Sequence, residues 1–379
     1  MTLKTYCPEW MDKMNIPQTM AAVVLTGHGG VEKLVYEENW PTPTPGPNEV
    51  LIKVSACGLN NTDVNTRSGW YSKTVEEATT GDGYVKVAKD DPSWGGAAIT
   101  FPRIQGADAV GIVVACGKGA NRELIGKRVM TDNWLRDWDN PDDRSKTGYF
   151  GSERDGGFAE YTTIDFRNVG VVESAMSDAE LATFSCSYST AEGMLNRAGV
   201  GPRDRVLVTG ASGGVGSALI QLAKRRGAVV VAMASEAKHG VVGELGPDAV
   251  LLRNQPDLKA ALEQAIGHDT VTVVADIVGG DYFPTLIDVL AAGGRYTCSG
   301  AIAGPVVSLD LRTLYLRDLT FTGSTILAPQ VFGDLVSYIE KAEIRPLLAK
   351  AFPLKNLVEA QQAFIAKSHI GNIVVTMEG

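Results

Sequence analysis

Short runs of apolar, β-branched residues follow one another through the first part of the chain. Ala21–Leu25 and Val50–Ser55 are two such runs, and Pro41–Pro47 between them has the composition of a turn region. The same pattern continues at Gly111–Cys116, Arg128–Thr131 and Phe158–Ile164. Many short strands separated by turns rich in glycine and proline predict an all-β, barrel-like unit.

The pattern changes near residue 178, where helical periodicity begins. Asp178–Ala198 is predicted to be a helix, with Ser177 as its N-cap and Glu180 completing a capping box. From Arg205 onward short apolar strands alternate with helices, which is typical of a parallel sheet built from βαβ units. The predicted fold class is therefore α/β, with a β-barrel unit joined to a doubly wound parallel sheet.

Charge and composition narrow the classes of partner. The 379 residues carry a formal net charge of −9 and contain no basic block, so we expect no nucleic-acid partner, because phosphate contacts need clustered lysine and arginine. No stretch reaches the roughly 20 uninterrupted apolar residues of a membrane span, and the N-terminus has no signal-like run. The five cysteines form no CxxC pair, which favours reduced thiols in a soluble, cytoplasmic protein.

A glycine-rich turn follows the first strand of the predicted parallel sheet. Val206–Thr209 leads into a G-x-x-G-x-x-G spacing, after which a helix begins. Glycine permits the tight turn and the approach of the backbone to a pyrophosphate, while the helix N-terminus offers unpaired N–H donors. A Gly-rich turn of some other α/β protein is the alternative. The candidate cofactor residues are Gly210, Gly213, Gly214, Val215 and Gly216.

The end of the second strand bears on the choice of dinucleotide. An NAD site places an acidic residue there to accept from the ribose 2′-hydroxyl. After Ala228–Ala234 this chain has Ser235 and Lys238, which suit a 2′-phosphate through hydroxyl donation and charge pairing. Glu236 lies between them and keeps NADH open as the alternative. The sequence predicts NADPH as the cofactor.

Several motifs in this order resemble the medium-chain dehydrogenase/reductase superfamily, and within it the zinc-independent branch of quinone-oxidoreductase-like proteins. The resemblance covers nearly all of residues 20–379. It implies a GroES-like barrel domain formed from both chain ends, a Rossmann domain between them, and a nicotinamide in the cleft between the domains. The motifs are ACGLNNTDVNTRSG, FPRIQGADAVGIV, GGFAEY, VTGASGGVGSALIQLAK, ADIVGG and SHIGNIVV.

The same resemblance argues against zinc. Zinc-dependent members place a cysteine ligand where Asn60 stands, and a Gly-His-Glu motif where Gly106–Asp108 stands. A catalytic zinc needs three protein ligands, and an amide and a methyl group do not replace a thiolate and an imidazole. The four histidines are also far apart in the sequence, so we expect no metal.

Without a Lewis acid, reduction of an activated acceptor is easier than oxidation of a simple alcohol. A quinone or an α,β-unsaturated carbonyl, including an acyl thioester, accepts hydride at carbon, and its developing oxyanion needs only hydrogen-bond donors. The leading hypothesis is thus a zinc-free, NADPH-dependent reductase of such a small molecule. An atypical alcohol dehydrogenase and a non-catalytic, crystallin-like nucleotide-binding protein are the alternatives.

The resemblance also assigns residues to the site. Asn60 and Asp63 match the GxNxxD segment, in which Asn60 would lie near the acceptor carbonyl or cap a helix at Asn61–Arg67, and Asp63 would orient the segment. Asn65 stands where the branch commonly has a tyrosine, so an acid is missing at that position. Expected to line the cofactor are Thr190, Ile277, Gly279, Ser299, Gly300 and Asn372, the last replacing a lysine.

The remaining expectations concern organisation. The predicted domains are a GroES-like part at 1–189 with a surface insertion at about 71–100, a Rossmann part at 190–335, and a return to the first part at 336–379. The branch commonly forms homodimers, and Leu319–Ile326 is a candidate edge for pairing. Four aromatic residues would line the acceptor pocket or anchor loops: Trp70, Tyr71, Trp134 and Trp138.

Overall fold

The computed structural model describes residues 16–83 and 98–377. Of the predicted insertion, positions 84–97 lie outside the described residues. The strands of the first part form a three-stranded sheet, a seven-stranded sheet and a two-stranded hairpin. These strands are β1 (Thr19–Leu25), β2 (Leu34–Pro41), β3 (Glu49–Gly58), β4 (Arg103–Ile104), β5 (Asp108–Cys116), β6 (Arg128–Thr131), β7 (Trp134–Leu135), β8 (Gly148–Tyr149), β9 (Tyr161–Asp165) and β10 (Val169–Val171).

The chain end joins this first part. Strands β17 (Leu348–Pro353) and β18 (Asn372–Thr376) are parallel to each other, and β18 pairs antiparallel with β3. The order in the seven-stranded sheet is β10-β6-β5-β3-β18-β17, with β9 on β3. The last strand, β18, therefore lies in the β-barrel part, which hydrophobic periodicity did not establish. The division at 189/190 and 335/336 stays a prediction.

A six-stranded parallel sheet forms the second part. Its order is β13-β12-β11-β14-β15-β16, so the chain runs outward from β11 in one direction and then from β14 in the other. The carboxyl ends of β11 and β14 meet at the switch point, where such sheets bind ligands. The strands are β11 (Arg205–Val208), β12 (Val229–Ala234), β13 (Ala249–Leu252), β14 (Val271–Asp276), β15 (Leu290–Cys298) and β16 (Thr320–Gly323).

Helices cover the parallel sheet and link it to the barrel. They are α1 (Asn61–Ser68), α2 (Asp178–Leu181), α3 (Ser185–Arg197), α4 (Gly214–Arg225), α5 (His239–Gly243), α6 (Leu258–Ile266), α7 (Phe283–Asp288), α8 (Leu311–Leu316), α9 (Pro329–Glu340) and α10 (Leu357–Ile365). In the described ranges, no helix has both the length and the apolar character that crossing a membrane requires.

The helix predicted over 178–198 is divided into α2 and α3. The capping box at its start is present, since Ser177 Oγ accepts from Glu180 N and Glu180 Oε2 accepts from Ser177 N. The break lies at Thr183 and Phe184, where the Thr183 hydroxyl donates to the Glu180 carbonyl and the Phe184 ring is fully buried. Packing of the Phe184 side chain at the junction of the two parts thus contributes more to stability than a continuous helix over 178–198 would.

Candidate active site

A cavity of about 550 Å³ lies between the barrel part and the carboxyl edge of the parallel sheet. Its walls come from α1 and the turn after it, the β7–β8 hairpin, α3, the start of α4, and the loops after β14 and β15. Eight of the predicted site residues line it: Asn60, Thr190, Gly214, Val215, Ile277, Ser299, Gly300 and Asn372. The other seven predicted residues do not: Asp63, Gly210, Gly213, Gly216, Ser235, Lys238 and Gly279.

The glycine turn has the conformation that a dinucleotide site requires. Gly210 has φ +57°, in the left-handed region that favours glycine. A Cβ on Gly216 would lie 2.2 Å from the Gly210 carbonyl oxygen, so only glycine lets α4 start this close to β11. Gly213 is the N-cap of α4 and has no side chain to satisfy the helix N–H groups. Those donors remain available for an anion.

Asn372 lies beside the start of α4. Its Nδ2 donates to Ser187 Oγ at 3.0 Å, while its Oδ1 is buried and has no hydrogen-bond partner among residues 16–83 and 98–377. A Cβ on Gly214 would lie 2.4 Å from that hydroxyl. The Gly371 N–H donates to the Ser212 carbonyl at 2.8 Å, which fastens the chain end to the glycine turn. The sequence alone did not predict this contact between the two ends of the site.

Asp276, at the end of β14, fixes the loop that lines the cavity at Ile277. The buried carboxylate accepts hydrogen bonds from the Thr209 hydroxyl at 2.5 Å and the Tyr296 hydroxyl at 2.7 Å. It also accepts from the backbone N–H groups of Val278 and Gly279. Sequence reasoning identified the ADIVGG motif but not this role, although an aspartate that ends a buried strand is a usable signal.

Asn60 and Asp63 lie in one buried polar network at the start of α1. Asp63 accepts from the Asn60 N–H at 2.8 Å and from the Gly106 N–H at 3.2 Å, so it orients the segment. The Asn60 Nδ2 donates to Asp108 Oδ2 at 3.0 Å. Asn60 is thus the N-cap of α1 and also lines the cavity, and its position near the acceptor carbonyl stays a prediction.

Burial dominates the ionisation of the two carboxyl groups in this network. It raises the pKa of Asp108 to about 7, against the opposing hydrogen bonds from Asn60, Asn133 and the Cys186 N–H. Burial likewise raises the pKa of Asp63 to about 7, and the charge of Asp108 adds to that effect. Both groups therefore bind protons in the folded protein at pH values where they are ionised in the unfolded chain.

These raised pKa values predict a pH-dependent loss of stability. Between pH 4 and 7 the folded protein holds protons that the unfolded chain releases, so the contribution of this pair falls as pH rises through about 7. The pKa of His369, lowered by burial to about 4, acts in the opposite direction over pH 4–6.5. We therefore compare Asp108→Asn with the wild type, so that the contribution of His369 is the same in both. We expect the melting temperature of Asp108→Asn to decline less over pH 4–7 than that of the wild type. Identical pH profiles of the melting temperature in the two proteins would contradict the raised pKa of Asp108.

A tyrosine lies next to the asparagine that replaces the branch's usual tyrosine. The side chain of Asn65 hydrogen-bonds the hydroxyl of Tyr71, and both residues line the cavity. Asn65 Oδ1 also accepts from the Thr79 hydroxyl at 3.2 Å. Burial raises the pKa of Tyr71, so the phenol is protonated at neutral pH.

Cys186 and Tyr149 line the cavity, and sequence reasoning missed both. The Tyr149 hydroxyl donates to Cys186 Sγ at 3.1 Å, and Cys186 also forms a hydrogen bond with Thr190. Cys186 and Thr190 are four residues apart on α3, so a shared helix face was a usable signal for the thiol. Tyr149 carried no such signal.

Of the other aromatic residues, Trp70 and Trp134 line the cavity, whereas Trp138 donates from Nε1 to Asn168 and lies outside it.

Two lysines, Lys238 after β12 and Lys367 near the chain end, form the Lys238–Lys367 cluster. Ser235 and Lys238 were predicted to bind the cofactor here. Lys238 Nζ donates to the carbonyls of Lys367 and His369, and Lys367 Nζ donates to Asn61 Oδ1 at 2.9 Å. Burial, together with the charge of Lys238, lowers the pKa of Lys367 to about 8. Within the described part of the chain neither lysine forms an ion pair, so the cluster carries unbalanced positive charge.

Metal ligands do not assemble at this site. Asn60, Ala107 and Asp108 occupy the positions discussed for zinc, and the amide of Asn60 donates to the carboxyl of Asp108. In residues 16–83 and 98–377, no group of three or more His, Cys, Asp or Glu side chains is placed to hold a metal ion.

Two family models and a solved structure match this chain. Residues 46–174 match the family model "Alcohol dehydrogenase GroES-like domain", and residues 214–341 match "Zinc-binding dehydrogenase". A solved structure from Sinorhizobium meliloti 1021, provisionally named an alcohol dehydrogenase, is 47% identical, with a TM-score of 0.87 over 97% of this chain and 99% of that one.

Two curated relatives carry reductase names. "Acryloyl-coenzyme A reductase" of Metallosphaera sedula is 27% identical over 94% of this chain and 100% of its own length. "Quinone oxidoreductase" of Homo sapiens is 23% identical over 91% of this chain and 94% of its own length. With the paired family models and the six-stranded parallel sheet, these matches show that the chain belongs to the medium-chain dehydrogenase/reductase superfamily of NAD(P)-dependent oxidoreductases.

Proposed function

We propose that this protein is a zinc-free, NADPH-dependent reductase that transfers hydride to a quinone or an α,β-unsaturated carbonyl. The observation that carries the proposal is the cavity itself, whose wall contains Tyr71, Asn60 and Thr190, the residue that the resemblance places at the nicotinamide. Such a wall supplies hydrogen-bond donors for a developing oxyanion. The relatives named as acryloyl-coenzyme A and quinone reductases support the same class of acceptor.

The residues present fit a nicotinamide dinucleotide. The uncapped start of α4 at Gly213 suits the pyrophosphate, and the partnerless Asn372 Oδ1 suits a ribose hydroxyl, which can donate to it. Ile277, Ser299 and Gly300 would hold the nicotinamide at the ends of β14 and β15. When bound, the cofactor supplies the hydride.

Proton delivery is assigned to Tyr71. Its hydroxyl forms a hydrogen bond with the Asn65 side chain, and in this proposal the Asn65 amide nitrogen donates, so that the phenol keeps its own proton for donation into the cavity. A phenol thus lies next to Asn65, which stands where the branch commonly has a tyrosine. Asn60, held by Asp108, would orient the acceptor carbonyl. Tyr71 is then the catalytic residue that completes the reduction by protonating carbon.

The Lys238–Lys367 cluster supports NADPH over NADH. A 2′-phosphate would neutralise two ammonium groups that have no carboxylate partner, while Ser235 at the end of β12 can donate from its hydroxyl. Charge-assisted contacts of this kind contribute about 1.5–3 kcal/mol, or roughly 10- to 100-fold in affinity. Glu236 forms no ion pair with either lysine in the described residues.

A substitution at Lys238 should therefore separate the two cofactors. We expect Lys238→Met to raise the KM for NADPH at least about tenfold and to leave the KM for NADH unchanged. Because Lys367 loses its proton as pH rises through about 8, the wild-type preference for NADPH in kcat/KM should also decline above that pH. Lys224→Met, which removes a lysine paired with Asp248, is the control. Equal changes for both cofactors would overturn the assignment.

The function is tested by following nucleotide oxidation with purified protein of measured zinc content. We expect NADPH oxidation with a quinone or a short enoyl thioester, and no loss of rate after treatment with a chelator. Turnover of simple alcohols with NAD⁺ alone, or a stoichiometric zinc needed for activity, would replace the proposal with the alcohol dehydrogenase alternative. Tight NADPH binding without turnover of any acceptor would favour a non-catalytic protein.

A homodimer is proposed through the outer edge of the parallel sheet. Strand β16 ends the sheet, and the adjacent α8 leaves Leu311, Tyr315 and Leu316 between 62% and 71% exposed. An open strand beside exposed apolar side chains is a surface that a second copy would cover.

Light scattering tests this assembly. We expect twice the monomer mass for the wild type and the monomer mass for Leu316→Glu, because a charge would be buried in the contact. Leu252→Glu changes an exposed leucine on β13, at the opposite edge of the sheet, and serves as the control. A monomeric wild type would refute the proposal.

A cytoplasmic location is proposed because the four described cysteines are all unpaired.

A further inference from the structure

Tyr149 occupies a wall of the cavity that the reaction described above does not use. Strand β8 pairs with β7, and the Trp134 and Tyr149 rings meet edge to face with centroids 5.3 Å apart. The Tyr149 N–H donates to Glu153 Oε2 at 2.8 Å, so the backbone is fixed as well. The ring is only 5% exposed, yet the residue borders the cavity. The phenol is thus held rigidly at one place.

The contacts of the hydroxyl suit an exchangeable donor. It donates to the Cys186 sulfur and accepts from Asn133 Nδ2 at 3.3 Å. Burial raises the pKa of the Cys186 thiol, so the sulfur is neutral and a weak acceptor. A carbonyl oxygen that gains negative charge is a far stronger acceptor, and the phenolic proton can turn from sulfur to oxygen without moving the ring.

From this geometry we infer that Tyr149 is the hydrogen-bond donor that stabilises the oxyanion formed on the acceptor, separate from the proton delivery assigned to Tyr71. The inference rests on the proposed function. With NADPH bound, its hydride would be transferred to the β-carbon to leave NADP⁺, the C=C electrons would shift to form an enolate, and the enolate oxygen would accept the Tyr149 hydrogen bond. Tyr71 then donates a proton to the α-carbon, and the Tyr71 oxygen regains a proton from water.

Kinetics of Tyr149→Phe test the inference. We expect kcat to fall about 100- to 1,000-fold with an unchanged KM for NADPH, as for loss of one oxyanion donor. Acceptors with electron-withdrawing substituents should lose less, because their oxyanions need less stabilisation. Tyr161→Phe, a buried β9 tyrosine outside the cavity, is the control, and melting temperatures verify folding.

A binding measurement makes the test independent of turnover. 4-Nitrophenol, titrated by absorbance in the NADP⁺ complex, carries an oxyanion in its ionised form. We expect the wild type to bind the phenolate more tightly than the phenol. Tyr149→Phe should reduce this ratio of the two affinities about tenfold or more. If the wild type reduces enones but Tyr149→Phe alters neither kcat nor this ratio, the inference is wrong. If the wild type reduces no quinone or enone, the proposed function fails instead.

Discussion

Replacing Gly213 with aspartate is expected to weaken NADPH binding strongly while leaving the fold intact. A Cβ at this position would meet no atom closer than the Gly210 carbonyl oxygen at 3.6 Å, and the backbone is extended, with φ −88°. Aspartate is moreover a favoured N-cap, so α4 should be at least as stable as before. The new carboxylate would occupy the helix N–H groups proposed for the pyrophosphate and repel its charge.

The size of this effect follows from the charges involved. Two like charges about 4 Å apart near a protein surface repel by about 4 kcal/mol, and lost N–H donors add to that cost. We expect the Kd of NADPH, measured by calorimetry, to rise at least about 100-fold. Gly213→Asn offers a similar cap without the charge and serves as the matched control. If both variants bind NADPH like the wild type, the glycine turn is not the dinucleotide site.

Tyr71→Phe is expected to lower kcat about 100- to 1,000-fold for an enone, within the usual range for loss of a general acid. The ring and its edge contact with Trp70 at 5.6 Å remain, so the cavity should keep its shape. The missing hydroxyl leaves the α-carbon to be protonated by water. NADPH binding should not change.

The solvent deuterium isotope effect distinguishes this role from packing. Loss of the proton donor should make protonation limit the rate, so the isotope effect on kcat should be larger in Tyr71→Phe than in the wild type. Tyr282→Phe removes a hydroxyl that bonds to the Gln255 carbonyl, outside the cavity, and should behave like the wild type. An unchanged kcat in Tyr71→Phe would exclude Tyr71 as the acid.

Local patterns were sufficient to predict the parallel sheet and the glycine turn at its carboxyl edge. Strand β12 and residues 206–208 of β11 are apolar because both faces of such a sheet are buried, and the glycine spacing at 210–216 reflects steric limits within a few residues. Both features depend on neighbours along the chain. The family resemblance drew on the glycine segment together with motifs from the barrel part and the chain end, and on their order.

Contacts between distant segments could not be predicted in this way. Asn372 and Gly214 are 158 positions apart, and Tyr149 is 37 positions from the Cys186 thiol to which its hydroxyl donates. The proposed roles of the Tyr71 and Tyr149 hydroxyls depend on which side chains share a cavity wall. Periodicity reports whether a residue is buried but not what faces it, so only the tertiary structure decided which polar groups meet at the site.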